Sequence, residues 1–258
     1  MKIFRSESYV DYKTYTFNYA IYCIKEDQSE LPQIYSLGFL PYSNKIDLVH
    51  DTYYLARSLR VELSLFQESS ENRRVARKIE ALSPSFNVVP IDEFNIDRPE
   101  FKAYCLEFAT ARFSDKISME RLNYILHAKS ISHVFEFVIQ DKKVGYVISI
   151  IEQGTLHYWF AFFDLNLQEY ALGKWMMFSV IKWAHEQNLS YVYLGTCYGE
   201  KSLYKVRDFK GLSYFNGNAW DTNMKNLKAK CKQDHAFETD EFKQDTDLFL
   251  ERLVQVNR

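Results

Sequence analysis

Apolar and polar positions alternate most regularly in the second half of the chain. Residues 133–140 (HVFEFVIQ) carry the two-residue period of a strand, and 144–152 (VGYVISIIE) and 156–163 (LHYWFAFF) read as a second and a third strand. The polar pieces between them, Asp141-Lys142-Lys143 and Gln153-Gly154, are short enough for consecutive hairpins. Residues 172–187 (LGKWMMFSVIKWAHEQ) change to a helical period. Trp175, Met176, Phe178, Val180, Ile181 and Trp183 cover more than half of that helix's circumference, so it is expected to be largely buried. Residues 191–194 (YVYL) are a short continuous apolar run, as suits a strand inside a sheet. The order is three antiparallel strands, a helix, then a strand that can lie parallel beside the third.

The first half is more mixed. Residues 14–24 read as a strand, 37–41 as a turn-rich piece, and 53–65 as one or two strands containing Arg57 and Arg60. Serine ahead of the charged run Glu71 to Ile79 marks a helix start. Within it Arg73 and Arg77 are four apart, as are Arg74 and Lys78, so each pair shares a helical face. Such a run suits a solvated face. It equally suits an anionic partner, because like charges at that spacing repel by a few tenths of a kcal/mol per pair. Ser83-Pro84 closes this helix, and 99–113 and 118–128 read as two more, the second capped by Ser118.

Composition adds limits. The chain has 258 residues, room for one large or two small domains, and 47% hydrophobic residues, enough for a proper core. We expect an N-terminal mixed module over 1–115, a catalytic domain over 116–222 and a helical tail over 223–258. The formal charge of −2 rules out a global basic field and leaves a local basic patch as the route to nucleic acid. Cys23, Cys105, Cys197 and Cys231 form no CxxC pair, and no metal constellation is visible among the histidines. A reduced, cytoplasmic protein is expected, with no signal peptide, no membrane span and no metal. His157 is expected as a buried or edge histidine, and Cys197 in a packing role in preference to a nucleophile.

The strand-helix-strand order over 133–194 resembles the core of the Gcn5-related N-acyltransferase fold. The resemblance implies an α/β (α+β) mixed sheet flanked by helices. It also implies a helix N-terminus that binds the anionic part of an acyl donor. The matching loop is Gln168-Glu169-Tyr170-Ala171-Leu172-Gly173, followed by Lys174. Gln168, Leu172, Gly173 and Lys174 are the donor-binding candidates. Ala171 stands where that fold has its first glycine, and Glu169 brings a negative charge, both of which disfavour an ordinary acetyl-coenzyme A cradle.

A second resemblance is more specific. Tyr193-Leu194-Gly195, Tyr204-Lys205, Phe209-Lys210-Gly211-Leu212 and Phe215-Asn216-Gly217 with Trp220 look like the C-terminal signature of arginyl-tRNA–protein transferases and their bacterial leucyl relatives. Phe162-Phe163-Asp164, Leu172-Gly173-Lys174 and, far upstream, Ser70 to Lys78 match further parts of that pattern in the same order. The chain lacks that family's N-terminal cysteine cluster. It also has Gly199-Glu200-Lys201-Ser202-Leu203 in place of the usual loop. The resemblance implies transfer of an amino acid of the Arg or Leu class from aminoacyl-tRNA to the N-terminal amine of a protein, with no cofactor required. Partners would then be tRNA and an acceptor protein or peptide.

Aminolysis of an ester needs alignment, an unprotonated amine and oxyanion stabilisation, and no nucleophilic serine or cysteine. Asp164 would accept the amine's proton or hold a cationic side chain, or else cap the turn after its strand. Tyr204 and Lys205 would bring a donor and a positive charge to the ester or the terminal phosphates, or else lie as an exposed pair. Arg73, Arg74, Arg77 and Lys78 would contact phosphate. Phe215 and Trp220 suit core aromatics. Two other readings remain: an N-acyltransferase using an acyl-coenzyme A donor, and a non-catalytic binding protein of the same fold.

Overall fold

The computed structural model describes residues 1–11, 16–43, 51–113 and 117–236. The chain begins with β1 (Lys2–Asp11), β2 (Thr16–Ile24), α1 (Leu31–Ser36), β3 (Phe39–Pro41), β4 (Thr52–Leu55) and β5 (Ser58–Glu62). It continues with α2 (Ser70–Glu80), β6 (Pro84–Pro90), α3 (Pro99–Phe113), α4 (Met119–Leu126), β7 (His133–Ile139), β8 (Lys142–Glu152) and β9 (Thr155–Phe163). After these come α5 (Leu172–Glu186), β10 (Tyr191–Thr196), β11 (Leu212–Phe215), β12 (Trp220–Asp221) and α6 (Met224–Ala236). Short 3-10 turns fall at Leu63–Leu65, Leu165–Tyr170 and Glu200–Lys205, among others. Residues 237–258 of the expected helical tail lie outside the described residues, as do Thr14 and Tyr15 of the first expected strand.

The chain forms two compact units. One takes the described residues of Met1–Tyr42, Leu48–Glu62 and Leu194–Arg258, the other those of Ser43–Asp47 and Leu63–Tyr193. The second holds a mixed sheet of order β10-β9-β8-β7-β6. Strands β6 to β9 pair antiparallel, and β10 runs parallel to β9. The β7–β8 and β8–β9 turns are tight because Gln140-Asp141 and Gln153-Gly154 all take positive φ, the signature of two-residue hairpins. The first turn therefore sits one residue earlier than the Asp141-Lys142-Lys143 piece suggests, and Lys142 already belongs to β8.

Alternation along the strands decides what each face packs. Val134, Tyr146, Ile148 and Phe162 join Phe101, Cys105, Phe108 and Ala109 of α3 and Leu122 and Leu126 of α4 in one apolar cluster. The residues next to them point the other way: Phe135 meets Trp183 of α5 at 5.1 Å between ring centroids, and Phe137 meets Trp175 at 5.3 Å. Helices thus cover both faces, and α5 is buried along most of its length, as its composition predicts. The first unit holds an antiparallel sheet of order β1-β2-β4-β3 and the antiparallel run β12-β11-β5.

Candidate acyl-transfer site

The parallel ladder between β9 and β10 runs over Tyr191–Thr155, Val192–Leu156 and Tyr193–His157, where it stops. Two residues further along β9 the pairing with β8 slips: Ile148 faces Phe160 and Ser149 faces Tyr158, so Trp159 is an extra residue on β9. A bulge of this kind leaves one residue's main-chain groups outside the ladder and re-aims its side chain. Trp159, Phe160 and Ala161 are only partly buried, in contrast to Thr155 through Tyr158. Main-chain N–H groups in such a place are suited to holding a carbonyl oxygen as it gains charge.

Asp164 follows directly. Its N–H donates to the Val144 carbonyl at 3.0 Å, and its side chain caps the next turn, accepting from the Asn166 N–H at 2.8 Å and the Asn166 amide at 2.9 Å. The Tyr104 hydroxyl donates to the same Val144 carbonyl at 2.8 Å. Burial, reinforced by the nearby Asp164 charge, pushes the Tyr104 phenol well above its ordinary range.

The turn Leu165–Tyr170 then delivers the chain to α5. Ala171, the N-cap, sits in the left-handed region at φ 56° and offers no side-chain cap. Its carbonyl accepts from the N–H groups of Lys174 and Trp175, both at 3.0 Å. The N–H groups of Leu172 and Gly173 find no acceptor among the described residues. A helix start left open in this way attracts an anion. Gln168 and Glu169 are exposed there, and the Leu172 side chain is fully buried, so only its main chain can serve a ligand. Gly173 has a packing reason: a Cβ would stand 2.6 Å from the Phe163 ring.

Helix α2 packs against α5 and the turn before it. Ser69 caps it through the Asn72 N–H at 3.0 Å, with Asn72 returning the bond at 2.9 Å. Asn72, Val75 and Ile79 are its buried face, while Arg73, Arg74, Arg77 and Lys78 all point outward. Glu71 connects the two helices, 2.7 Å from Arg74 and 3.5 Å from Lys174. Lys182 of α5 pairs with Glu68 at 2.9 Å. The helix that carries the basic run and the segment leading into α5, about a hundred residues apart in sequence, are therefore neighbours.

Tyr204 and Lys205 belong to the other unit. Tyr204 is exposed, and Lys205 sits 5.9 Å from its ring centroid. The Lys205 ammonium turns back to the end of β10, donating to the carbonyls of Leu194 at 3.0 Å and Thr196 at 3.1 Å. Desolvation lowers its pKa to about 8, against a smaller opposing effect of Cys197. The same unit contains an ion pair that the sequence does not single out, Arg57 with Asp234, at 2.6 and 3.2 Å. Only the approach of Arg57, between β4 and β5, to α6 reveals it, and no local motif carries that signal. Cys197 and His157 are buried, Phe215 is buried, and Trp220 is partly buried with its indole N–H on the Ser36 carbonyl at 2.7 Å. Among the described residues no group of His, Cys, Asp or Glu is arranged to hold a metal, and no helix is long and apolar enough to cross a membrane.

The strand order, the bulge at Trp159 and the open start of α5 define an acyltransferase-type domain. Residues 70–210, more than half of the chain, match the family described as "Acetyltransferase (GNAT) domain", and the chain belongs to that family. No match is found among curated proteins. Among solved structures the chain is similar to the C-terminal domain (DUF2156) of a putative lysylphosphatidylglycerol synthetase from Agrobacterium fabrum. That likeness has 12% identity and a TM-score of 0.43, covering 65% of this chain and 51% of that one. The chain thus spans about half the length of that C-terminal domain. It is also similar to L-PGS from Bacillus licheniformis, at 10% identity over 80% of this chain and 70% of that one with a TM-score of 0.45. A third likeness is to an aminoglycoside acetyltransferase from an uncultured soil metagenomic sample. It has 18% identity over 50% of this chain and 85% of that one, with a TM-score of 0.35.

Proposed function

We propose that this protein moves an aminoacyl group of the Arg or Leu class from the 3′ end of a tRNA to the N-terminal amine of a protein. The observation that carries the reading is the packing of α2 on α5. That helix packs against α5 and the turn before it and turns Arg73, Arg74, Arg77 and Lys78 outward, which supports a contact with the donor's phosphates. The segment from Tyr193 to Trp220, with its resemblance to the arginyl and leucyl transferases, supports the same donor.

The step is an aminolysis. The acceptor's α-amine attacks the ester carbonyl, a tetrahedral oxyanion forms, and the 3′ hydroxyl leaves with a proton. In this reading Asp164 takes the proton of the attacking amine and main-chain N–H groups at the β9 bulge hold the oxyanion. A role for Lys205 as a source of a proton or positive charge for the leaving oxygen rests on the Tyr204-Lys205 sequence match alone. Lys174 and the open N–H groups of Leu172 and Gly173 receive phosphate. Acceptor and tRNA are the partners, and no cofactor is consumed.

A second reading has one specific observation in its favour. The N–H groups of Leu172 and Gly173, which find no acceptor among the described residues, also suit the pyrophosphate of an acyl-coenzyme A. Thermal unfolding with each donor separates the two. A ligand at 100 times its dissociation constant stabilises by ~2.7 kcal/mol. Aminoacyl-tRNA is expected to raise the melting temperature and acetyl-coenzyme A to leave it unchanged. The reverse result would move the assignment to the thioester donor.

A further inference from the structure

Arg57 lies in the short connection between β4 and β5, and both its main chain and its side chain bond to one turn of the chain. Its carbonyl accepts from the Cys197 N–H at 2.9 Å, and its guanidinium donates to the Cys197 carbonyl at 3.3 Å. Its own N–H donates to the Tyr198 hydroxyl at 2.9 Å, and its guanidinium lies 4.7 Å over the Tyr198 ring. Asp234 on α6 completes the arrangement. It takes the guanidinium with both oxygens, and one of them also accepts from the Gly199 N–H at 2.9 Å. Both side chains are almost out of solvent, at 12% and 7% exposure, so the pair is a desolvated one. Burial lowers the Arg57 pKa, but the Asp234 carboxylate outweighs it and holds the guanidinium above its ordinary value.

The turn that this pair grips has a second restraint. Gly199 adopts φ 66° with ψ 163°, a conformation open to glycine, and its carbonyl accepts from the Ser202 hydroxyl at 2.8 Å. Six residues on, Lys205 bonds the carbonyls of Leu194 and Thr196, immediately ahead of Cys197. The segment from Leu194 to Lys205 is thus a closed loop. Lys205 ties its two ends, and Arg57 and Asp234 fix its apex.

We propose that Arg57 and Asp234 are positioning residues for Lys205: their ion pair fixes the Cys197–Gly199 turn and thereby keeps the Lys205 ammonium on the end of β10. α6 is then a part of the working loop, because it brings Asp234 to it. The consequence for transfer rests on the proposed role of Lys205 at the leaving oxygen; the restraint itself does not. Lys205 meets the carbonyls of Leu194 and Thr196 and the Tyr204 ring, and among the described residues Cys197 is the titratable group that acts on its charge.

The test follows the titration of Lys205 by carbon NMR of lysine-labelled protein, with Lys205→Arg identifying the signal. Asp234→Asn keeps the shape and halves the pairing, Arg57→Lys keeps the charge, and Arg57→Ala removes both. In the intact protein the midpoint is expected near 8. With the turn released, water reaches the ammonium. The midpoint is then expected to rise by at least about one unit in Asp234→Asn and Arg57→Ala, and by less in Arg57→Lys. A midpoint unchanged in Asp234→Asn that still melts cooperatively overturns the proposal, even if Arg57→Ala does not fold. A general loosening would also change the signals of Lys102 and Lys174, which are expected to stay in place. If the midpoint moves but no amino acid is transferred by the intact protein, the restraint stands and the proposed function falls. If transfer occurs and the midpoint is fixed, the restraint falls alone.

Discussion

Glu71 of α2 stands 3.5 Å from Lys174 in the first turn of α5, while the same carboxylate holds Arg74 at 2.7 Å. One acidic side chain therefore joins the basic helix to the first turn of α5 and partly neutralises the cations of both. Arg77→Ala with Lys78→Ala is expected to weaken tRNA binding and to lower the slope of log K against log salt by ~0.9 for each phosphate that is no longer neutralised. Glu71→Gln should act in the opposite sense and tighten binding, most visibly at low salt. Arg77 and Lys78 are exposed, so their replacement should change stability by no more than ~0.5 kcal/mol. Filter binding across a salt series checks both signs.

Gly173 should not tolerate a methyl group. A Cβ at that position meets the Phe163 ring at 2.6 Å, and the ring is flanked by Phe108 at 4.7 Å between centroids. Gly173→Ala is expected to destabilise the fold by ~1–3 kcal/mol, the usual cost of overpacking. Phe163→Leu should recover part of that loss in the double variant. Urea unfolding of the two single variants and the double measures the coupling.

Asp164 has a local duty that can be separated from any chemical one. Its cap uses carboxylate oxygen as an acceptor for two groups of Asn166, and an amide oxygen can do the same. Asp164→Asn should therefore stay close to wild-type stability and lose transfer activity, whereas Asp164→Ala should also lose ~0.5–2 kcal/mol of stability. Normal activity in Asp164→Asn would leave the residue with its capping duty alone.

Lys205 makes stability depend on pH with a defined sign. Its pKa falls from 10.5 in the open chain to about 8 in the fold. Between those values the unfolded chain binds more protons, so this group's contribution rises with pH, and below pH 8 the full cost of its burial is present. Burial of the tyrosine and cysteine groups has the opposite effect in the same range, so the useful quantity is the difference between wild type and Lys205→Met. That difference should move in favour of wild type from about pH 8 to about pH 10.5. Parallel unfolding curves across that range would contradict the desolvated lysine.

Periodicity carried most of the second unit. The strands β7, β8, β9 and β10 and the helix α5 all follow from alternation and apolar coverage, because each has a face that must be buried. The basic helix and its serine start were equally legible, since capping chemistry is local. Strand β6 was not. It begins at Pro84 and ends at Pro90, residues that read as breakers, and the sheet admits them because β6 is the outermost strand beside β7. β3, read as a turn-rich piece, is a three-residue strand that pairs with β4, a partner that no local pattern announces.

The site divides along the same line. Residues placed by a strand end or a helix start, Asp164 and Gln168 to Lys174, can be found by reading along the chain. The bulge at Trp159 cannot, because it depends on how β8 and β9 register, and Trp159 looks like any other strand aromatic. Arg57 and Asp234 are 177 residues apart, and nothing near either announces the other.

Whether the protein takes an aminoacyl ester as donor is decided by an assay of the purified protein with tRNA charged with radiolabelled arginine or leucine and a set of peptides differing in their N-terminal residue. The expected result is label transferred to the α-amine of at least one peptide, abolished by blocking that amine and by Asp164→Asn. No transfer with either charged tRNA, together with acylation of an amine from acetyl-coenzyme A, would contradict the account.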